Sequence, residues 1–162
     1  MISFRAMLSS EFSDYLAYFI PDYAAEISSS YQIPEEDALQ QAQREVAISL
    51  ANGVDTAGQV LLCIVIRDGG AEKTLGYLWY RPDPTARSAY INDFYIFSDY
   101  RGRGFGKRTM KCLEDKLSAE GFIQIKLRVA PDNKLATHVY QSTGFQVTGI
   151  NMNKILQPHS CS

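Results

Sequence analysis

Arg101-Gly102-Arg103-Gly104-Phe105-Gly106-Lys107-Arg108 is the stretch of this chain best equipped to bind an anion. Its glycines let the backbone approach a ligand closely, and the helix predicted to begin here leaves its first N–H groups without internal partners. The helix dipole adds about half a positive charge at that end, which suits phosphate oxygens. Two nucleotide motifs fail on this stretch. A Walker A loop needs glycine at Arg101 and Ser or Thr at Arg108. A dinucleotide fingerprint needs glycine at Lys107 if it starts at Gly102, and at Thr109 if it starts at Gly104. Taken alone, the turn is either an anion site or an ordinary strand–helix connection.

Other side chains able to do chemistry are scattered. Asp93 interrupts an apolar run, and a carboxylate there needs a task or a partner; a general base and a structural hydrogen bond to a loop both fit. Asn133 follows Pro131-Asp132 and precedes an apolar periodicity, the position of a helix cap. On the same short helix Tyr140 reads first as a core tyrosine, and His138 is expected to face solvent. His138 and His159 lie near no cysteine or carboxylate cluster with ligand spacing, so no metal site is expected. Three cysteines without a CxxC pair fit reduced thiols in the cytoplasm. Cys63 and Cys112 read as packing residues, and Cys161 as part of a flexible tail over 157–162. Tyr31, Trp79 and Tyr80 either line a ligand pocket or, more simply, pack in the core or at an edge.

The elements that must position these residues follow from periodicity. Phe12, Tyr15, Leu16, Phe19, Tyr23 and Ile27 recur at helical steps over 11–31, with a kink or break expected at Pro21. A second helix starts near Pro34, its first turn carrying Glu35, Glu36 and Asp37, and stops at Asn52-Gly53. Residues 59–67 form an apolar strand buried on both faces. Strands are predicted at 75–81 and 90–97, then the glycine turn and a helix ending at Gly121. A strand at 123–129, a short helix at 133–143 and one or two closing strands within 145–156 complete the chain. Two helices, a strand meander, then βαβα and a closing strand predict an α/β or α+β fold. It is expected to form one domain over 1–162, with helices on both faces of a single sheet.

Composition bounds the function. With 162 residues, 46% of them apolar and 21% charged, the chain is an ordinary globular one. It carries no apolar run of the ~20 residues needed to span a membrane and no secretory signal pattern at its start. The net charge of −2 conceals a polarity: −6 over residues 1–52, −2 over 53–100 and +5 over 101–134. An anionic ligand is expected in the basic region and a cationic one near the acidic region. Nucleic acid is not an expected partner, because the basic residues spread over a loop, both faces of a helix and a strand.

The turn also matches the signature R/Q-x-x-G-x-G/A as Arg101-Gly102-Arg103-Gly104-Phe105-Gly106. Downstream stands Leu127-x-Val129-x-x-x-Asn133-x-x-Ala136-x-x-x-Tyr140-x-x-x-Gly144-Phe145. In these two motifs, over about residues 88–147, the chain resembles the GNAT superfamily of acetyl-CoA-dependent N-acetyltransferases. It is most similar to small bacterial members with an Asp-Phe pair before the turn, here Asp93-Phe94. The resemblance implies a GNAT fold: a mixed, mostly antiparallel sheet with one strand pair splayed to receive acetyl-CoA. It also implies an amine acceptor and direct attack on the thioester.

Residue by residue, the resemblance assigns the pantetheine arm to the strand segment Phe94, Tyr95 and Ile96. The Ile96 N–H would face the acetyl carbonyl, where it would stabilise a developing oxyanion. Arg101, Gly102, Arg103, Gly104, Phe105, Gly106 and Lys107 would cradle the pyrophosphate, and Asn133 would contact the cofactor. Tyr140 matches the general acid for the departing thiolate; reference pKa values of about 10 and 8.5 make that transfer reasonable. The glutamate that some members use as base is replaced by Arg128, leaving Asp93 as the candidate. A rival function is a non-catalytic acyl-CoA sensor on the same fold. Many members pair, so a homodimer is a possible assembly.

Overall fold

A computed structural model describes residues 1–158; His159, Cys161 and most of the predicted tail lie outside the described residues. Five strands lie side by side in chain order: β1 (Ile2–Ala6), β2 (Val60–Asp68), β3 (Ala71–Asp83), β4 (Ser88–Ile96) and β5 (Gln124–Leu127). Every neighbouring pair is antiparallel except β4 and β5, which are parallel. Helices α1 (Phe12–Tyr31) and α2 (Glu35–Ser49) precede β2, α3 (Phe105–Ala119) connects β4 to β5, and α4 (Lys134–Ser142) follows β5.

The alternation of side chains across the sheet sorts the helices onto its two faces. Tyr77 and Trp79 of β3, with Leu61, Cys63 and Val65 of β2, meet Tyr15 and Phe19 of α1 and Val46 of α2. Leu78 and Tyr80, with Leu62 and Ile64, meet Met110, Leu113 and Leu117 of α3. Leu61 through Val65 are all buried, as expected for a strand covered on both sides. Each such aliphatic side chain contributes about 1.5–3 kcal/mol on burial. The mixed sheet with helices on both faces agrees with the expected fold class.

Three elements differ from expectation. Pro21 does not end α1, which runs unbroken to Tyr31. Buried Tyr15 and Phe19 before the proline and Ala24 and Ile27 after it anchor both halves, so packing offsets the lost hydrogen bond. β1 was not expected, since its five residues bury only Ile2 fully. It is pinned from outside the ladder by Arg5, which donates to Glu11 at 2.9 Å and to Glu72 at 3.1 Å. The guanidinium holds the Glu11 carboxyl down at about 2. The closing strands expected within 145–156 do not form: the described sheet ends at β5, and residues 145–156 are irregular. The outer edge of β5, only four residues long, stays unpaired, and Val147, Ile150 and Met152 are left exposed.

Two irregularities shape β4. The register with β3 slips between Trp79 and Tyr80, so that Asn92 is an extra residue, a bulge immediately before Asp93. A little further on, Gly76 faces Tyr95 so closely that a Cβ would stand 1.9 Å from the Tyr95 carbonyl oxygen. Only glycine allows that approach, and it fixes where the second half of β4 runs.

Candidate active site

The site is built around the point where β4 loses one neighbour. Pairing with β5 stops at Ile91–Leu127, while pairing with β3 continues to Ile96. From Asn92 onward one edge of β4 is therefore open. The Phe97 N–H donates to the Leu75 carbonyl at 2.8 Å. Antiparallel alternation then turns the N–H groups of Tyr95 and Asp93 toward β3, and those of Phe94 and Ile96 toward the open edge. The Ile96 carbonyl also points that way and accepts from Arg101 Nε at 2.9 Å, while the Arg101 guanidinium lies 5.0 Å from the Tyr95 ring centroid.

Two cavities flank this segment and share Phe94, Tyr95, Arg101 and Asn133 in their walls. The smaller, about 330 Å³, runs between β4, the start of α3 and α4. Ile96, Gly106, Lys107 and Tyr140 complete the polar and backbone part of its wall, and Met110 and Val139 the apolar part. Gly102, Arg103 and Gly104 form an exposed lip beside it. Gly104 has φ 78°, a left-handed conformation that suits glycine at the entry to α3. Phe105 instead turns inward, packing on the core and edge-on to Tyr100 at 6.0 Å. Asn133 caps α4, its Oδ1 accepting from the Ala136 N–H at 3.2 Å. The groove combines an open strand edge, free helix N–H groups and cationic side chains, which fits the pantetheine and phosphates of an acyl-CoA.

The larger cavity, about 750 Å³, lies between the sheet and the first two helices. Asp93 belongs to this side. Its Oδ2 accepts from the Tyr15 hydroxyl at 2.9 Å and its Oδ1 from the Tyr18 hydroxyl at 3.1 Å. Part of the residue remains accessible, yet its carboxyl sits among aromatic rings, with Tyr18 stacked on Tyr95 at 3.7 Å. Desolvation raises the Asp93 pKa to about 7 against the two phenol donors, which lower it. Tyr140 is half-buried on the groove side, packed against Phe145. Burial raises its pKa first, and the Asp93 charge adds to that rise.

Only part of the acidic segment over residues 1–52 reaches the cavity. Glu35, Glu36 and Asp37 stand exposed in the first turn of α2, whereas Asp22, Glu26 and Glu45 line the cavity with Asp93. Arg128, which replaces a possible base, also lines it and pairs with Glu26 at 3.3 Å. Trp79 is both a core residue and part of the cavity wall; Tyr80 is buried on the opposite face and Tyr31 is exposed outside it. Tyr15 and Tyr18 escaped sequence reasoning. Their only signal is a spacing of three on α1, which places both phenols over one spot of the sheet.

The profile of the Acetyltransferase (GNAT) family matches residues 18–145. The chain belongs to that family. It is 29% identical over 158 residues to the uncharacterized N-acetyltransferase YycN of Bacillus subtilis, covering 96% of this chain and 99% of YycN. The crystal structure of YycN superposes with a TM-score of 0.88 at 28% identity, over 98% of this chain and 100% of that one. AAC(6')-Iy, solved in complex with the bisubstrate analogue CoA-S-monomethyl-acetylneamine, shares the fold at 12% identity. Its TM-score is 0.55 over 97% of this chain and 99% of its own. The enzyme is thus an acetyltransferase, and among the described residues no cluster suited to a metal ion occurs and no helix is long and apolar enough to cross a membrane.

Proposed function

We propose that the chain acts as one domain that transfers the acetyl group of acetyl-CoA to a primary amine by direct attack within a ternary complex. The observation that carries this reading is the division of labour across β4. A carboxylate with a pKa near 7 faces the larger cavity, and a phenol faces the groove.

Asp93 takes a proton from the amine on the acceptor side, directly or through one water. The outward N–H groups of Phe94 and Ile96 align the donor, and the Ile96 N–H meets the acetyl oxygen as negative charge develops there. Tyr140 gives its proton to the sulfur as the thiol leaves. The lip of Gly102, Arg103 and Gly104, with Gly106, Lys107 and Asn133, holds the phosphate end. When bound, acetyl-CoA supplies an activated thioester carbonyl; the chain supplies orientation and the two proton transfers. The free thiols of Cys63 and Cys112 fit work in the cytoplasm.

The test is a panel of polyamines, aminoglycosides, amino acids and peptides with free N-termini, scored by acetyl-CoA-dependent release of CoA thiol. Turnover with at least one amine is the expected result. Acetyl-CoA binding without thiol release from any amine would overturn catalysis in favour of a sensor.

A further inference from the structure

Among the described residues, Gly76 is the only glycine at which an added Cβ would collide with a neighbour. The collision would fall on a single peptide unit. That Cβ would overlap the Tyr95 carbonyl oxygen and stand 2.9 Å from the Tyr95 carbonyl carbon and 3.0 Å from the Ile96 Cα. A peptide unit is planar, so the Tyr95 carbonyl and the Ile96 N–H lie in one rigid plate and point opposite ways. Whatever tilts the oxygen tilts the N–H with it. The register with β2 slips between Ile64 and Val65, so Leu75 is an extra residue of β3, a bulge immediately before Gly76. The next peptide, Ile96–Phe97, is held at both ends. Its carbonyl accepts from Arg101 Nε at 2.9 Å, and its N–H donates to the Leu75 carbonyl at 2.8 Å.

We propose, resting on the reading of the Ile96 N–H as the donor to the acetyl oxygen, that Gly76 is a positioning residue for acetyl transfer. Its missing side chain lets the Tyr95–Ile96 peptide settle against β3, and this aims the Ile96 N–H into the groove. Gly76 acts through that plate alone. A hydrogen bond weakens steeply as its angle closes, so a tilt forced by one methyl group degrades the donor that meets the oxyanion. The effect is local. Asp93 pairs with Trp79, further along both strands, and its carboxylate is held from α1 by Tyr15 and Tyr18. The lip for the phosphates belongs to the entry of α3. Gly76 therefore governs the surroundings of the acyl carbonyl and leaves the base and the phosphate end alone.

The experiment is infrared difference spectroscopy of acetyl-CoA labelled with carbon-13 at the acetyl carbonyl, bound to the full chain without an amine. In the wild type the carbonyl stretch is expected below its frequency in free acetyl-CoA, because accepting a hydrogen bond weakens the C=O bond. Gly76→Ala is expected to lose that shift, to bind CoA as the wild type does and to keep the acidic limb of its pH profile in place. Its kcat should fall about tenfold or more, part of the ~10²–10³-fold cost of losing an oxyanion donor. Ile96→Pro deletes the N–H on the open edge, removes no bond to β3, and is expected to abolish the same shift. An unshifted carbonyl in the wild type, or a shift that survives either substitution, would overturn the proposal. A shift lost in Gly76→Ala with kcat unchanged would overturn it as well. A Gly76→Ala protein unable to bind CoA would also overturn it, assigning the glycine to folding alone. Thiol release, followed separately with the amine panel, keeps the two readings apart. A shift lost in Gly76→Ala, with no release by the wild type from any amine, leaves the aimed N–H standing and removes the acetyl transfer. Wild-type release with an unshifted carbonyl removes the aimed N–H alone.

Discussion

The groove and the cavity on either side of β4 are made of different materials. The groove presents backbone: outward N–H groups of Phe94 and Ile96, and a glycine lip leading into α3. The cavity presents side chains: phenols, an indole and four carboxylates drawn from α1, α2 and the sheet. Backbone recognition suits a ligand that never changes, because the polypeptide offers the same donors whatever the side chains. A side-chain cavity suits a ligand that varies between relatives, because single substitutions retune it without disturbing the fold. On this division, changes on the cavity side should alter the amine chemistry and leave acetyl-CoA binding intact, and changes at the lip should do the reverse.

The largest effect is expected at Asp93. Asp93→Asn should lower kcat/KM for the amine by about 10²–10⁴-fold, the range for losing a general base, with acetyl-CoA affinity unchanged in a direct binding measurement. The wild-type rate should fall as pH drops below about 7, as the carboxyl takes up its proton. Stability should move the opposite way. Because the folded-state pKa of Asp93 is raised, the stability it contributes is fully present below the unfolded value of about 3.9 and is lost as pH rises toward 7. Asp93→Asn removes that cost and should raise stability at pH 8 by about 1–2 kcal/mol, discounted for the accessible part of the residue. Denaturant melts of both proteins at pH 5 and pH 8 measure it, and an equal difference at the two pH values would contradict the assignment.

Tyr140→Phe comes next. It keeps the ring against Phe145 and removes only the proton donor, so kcat should fall by about 10²-fold with little change in either KM. An unchanged rate and pH profile would remove Tyr140 from the chemistry. Gly104→Ala tests the other side. At φ 78° a Cβ costs about 1–2 kcal/mol and disturbs the lip, so KM for acetyl-CoA should rise several-fold while KM for the amine stays put. A rise confined to the amine would break the division between backbone and side-chain recognition.

That same division explains what could be read in the sequence. Gly104 and the turn around it were legible because the left-handed entry to α3 favours glycine at a fixed position, which a linear pattern preserves. Asn133 and Tyr140 were legible because one short helix carries both. The cavity was not, because its members come from separate helices and strands and share no spacing. Net charge located the acids in the first 52 residues, but only helix rotation decides that Glu45 turns inward and Glu35 to Asp37 do not. The sheet was legible in its centre, where β2 is an unbroken apolar run, and misread at both ends. β1 depends on the distant partner Glu72, and residues 145–156 do not extend the four-residue edge of β5.

The smallest effect expected is also the most specific to the geometry. The Tyr15 and Tyr18 hydroxyls both donate to the Asp93 carboxylate, and both favour its charged form against the desolvation that disfavours it. Tyr18→Phe removes one donor while preserving most of the stack on Tyr95. The Asp93 pKa should therefore rise further, and the acidic limb of the pH–kcat/KM profile should move to higher pH by a fraction of a unit. The loss would be a few-fold at pH 7 and would vanish near pH 9. A tyrosine that only filled space would lower the rate by the same factor at every pH, so the profile separates a residue that positions and tunes the base from one that packs beside it.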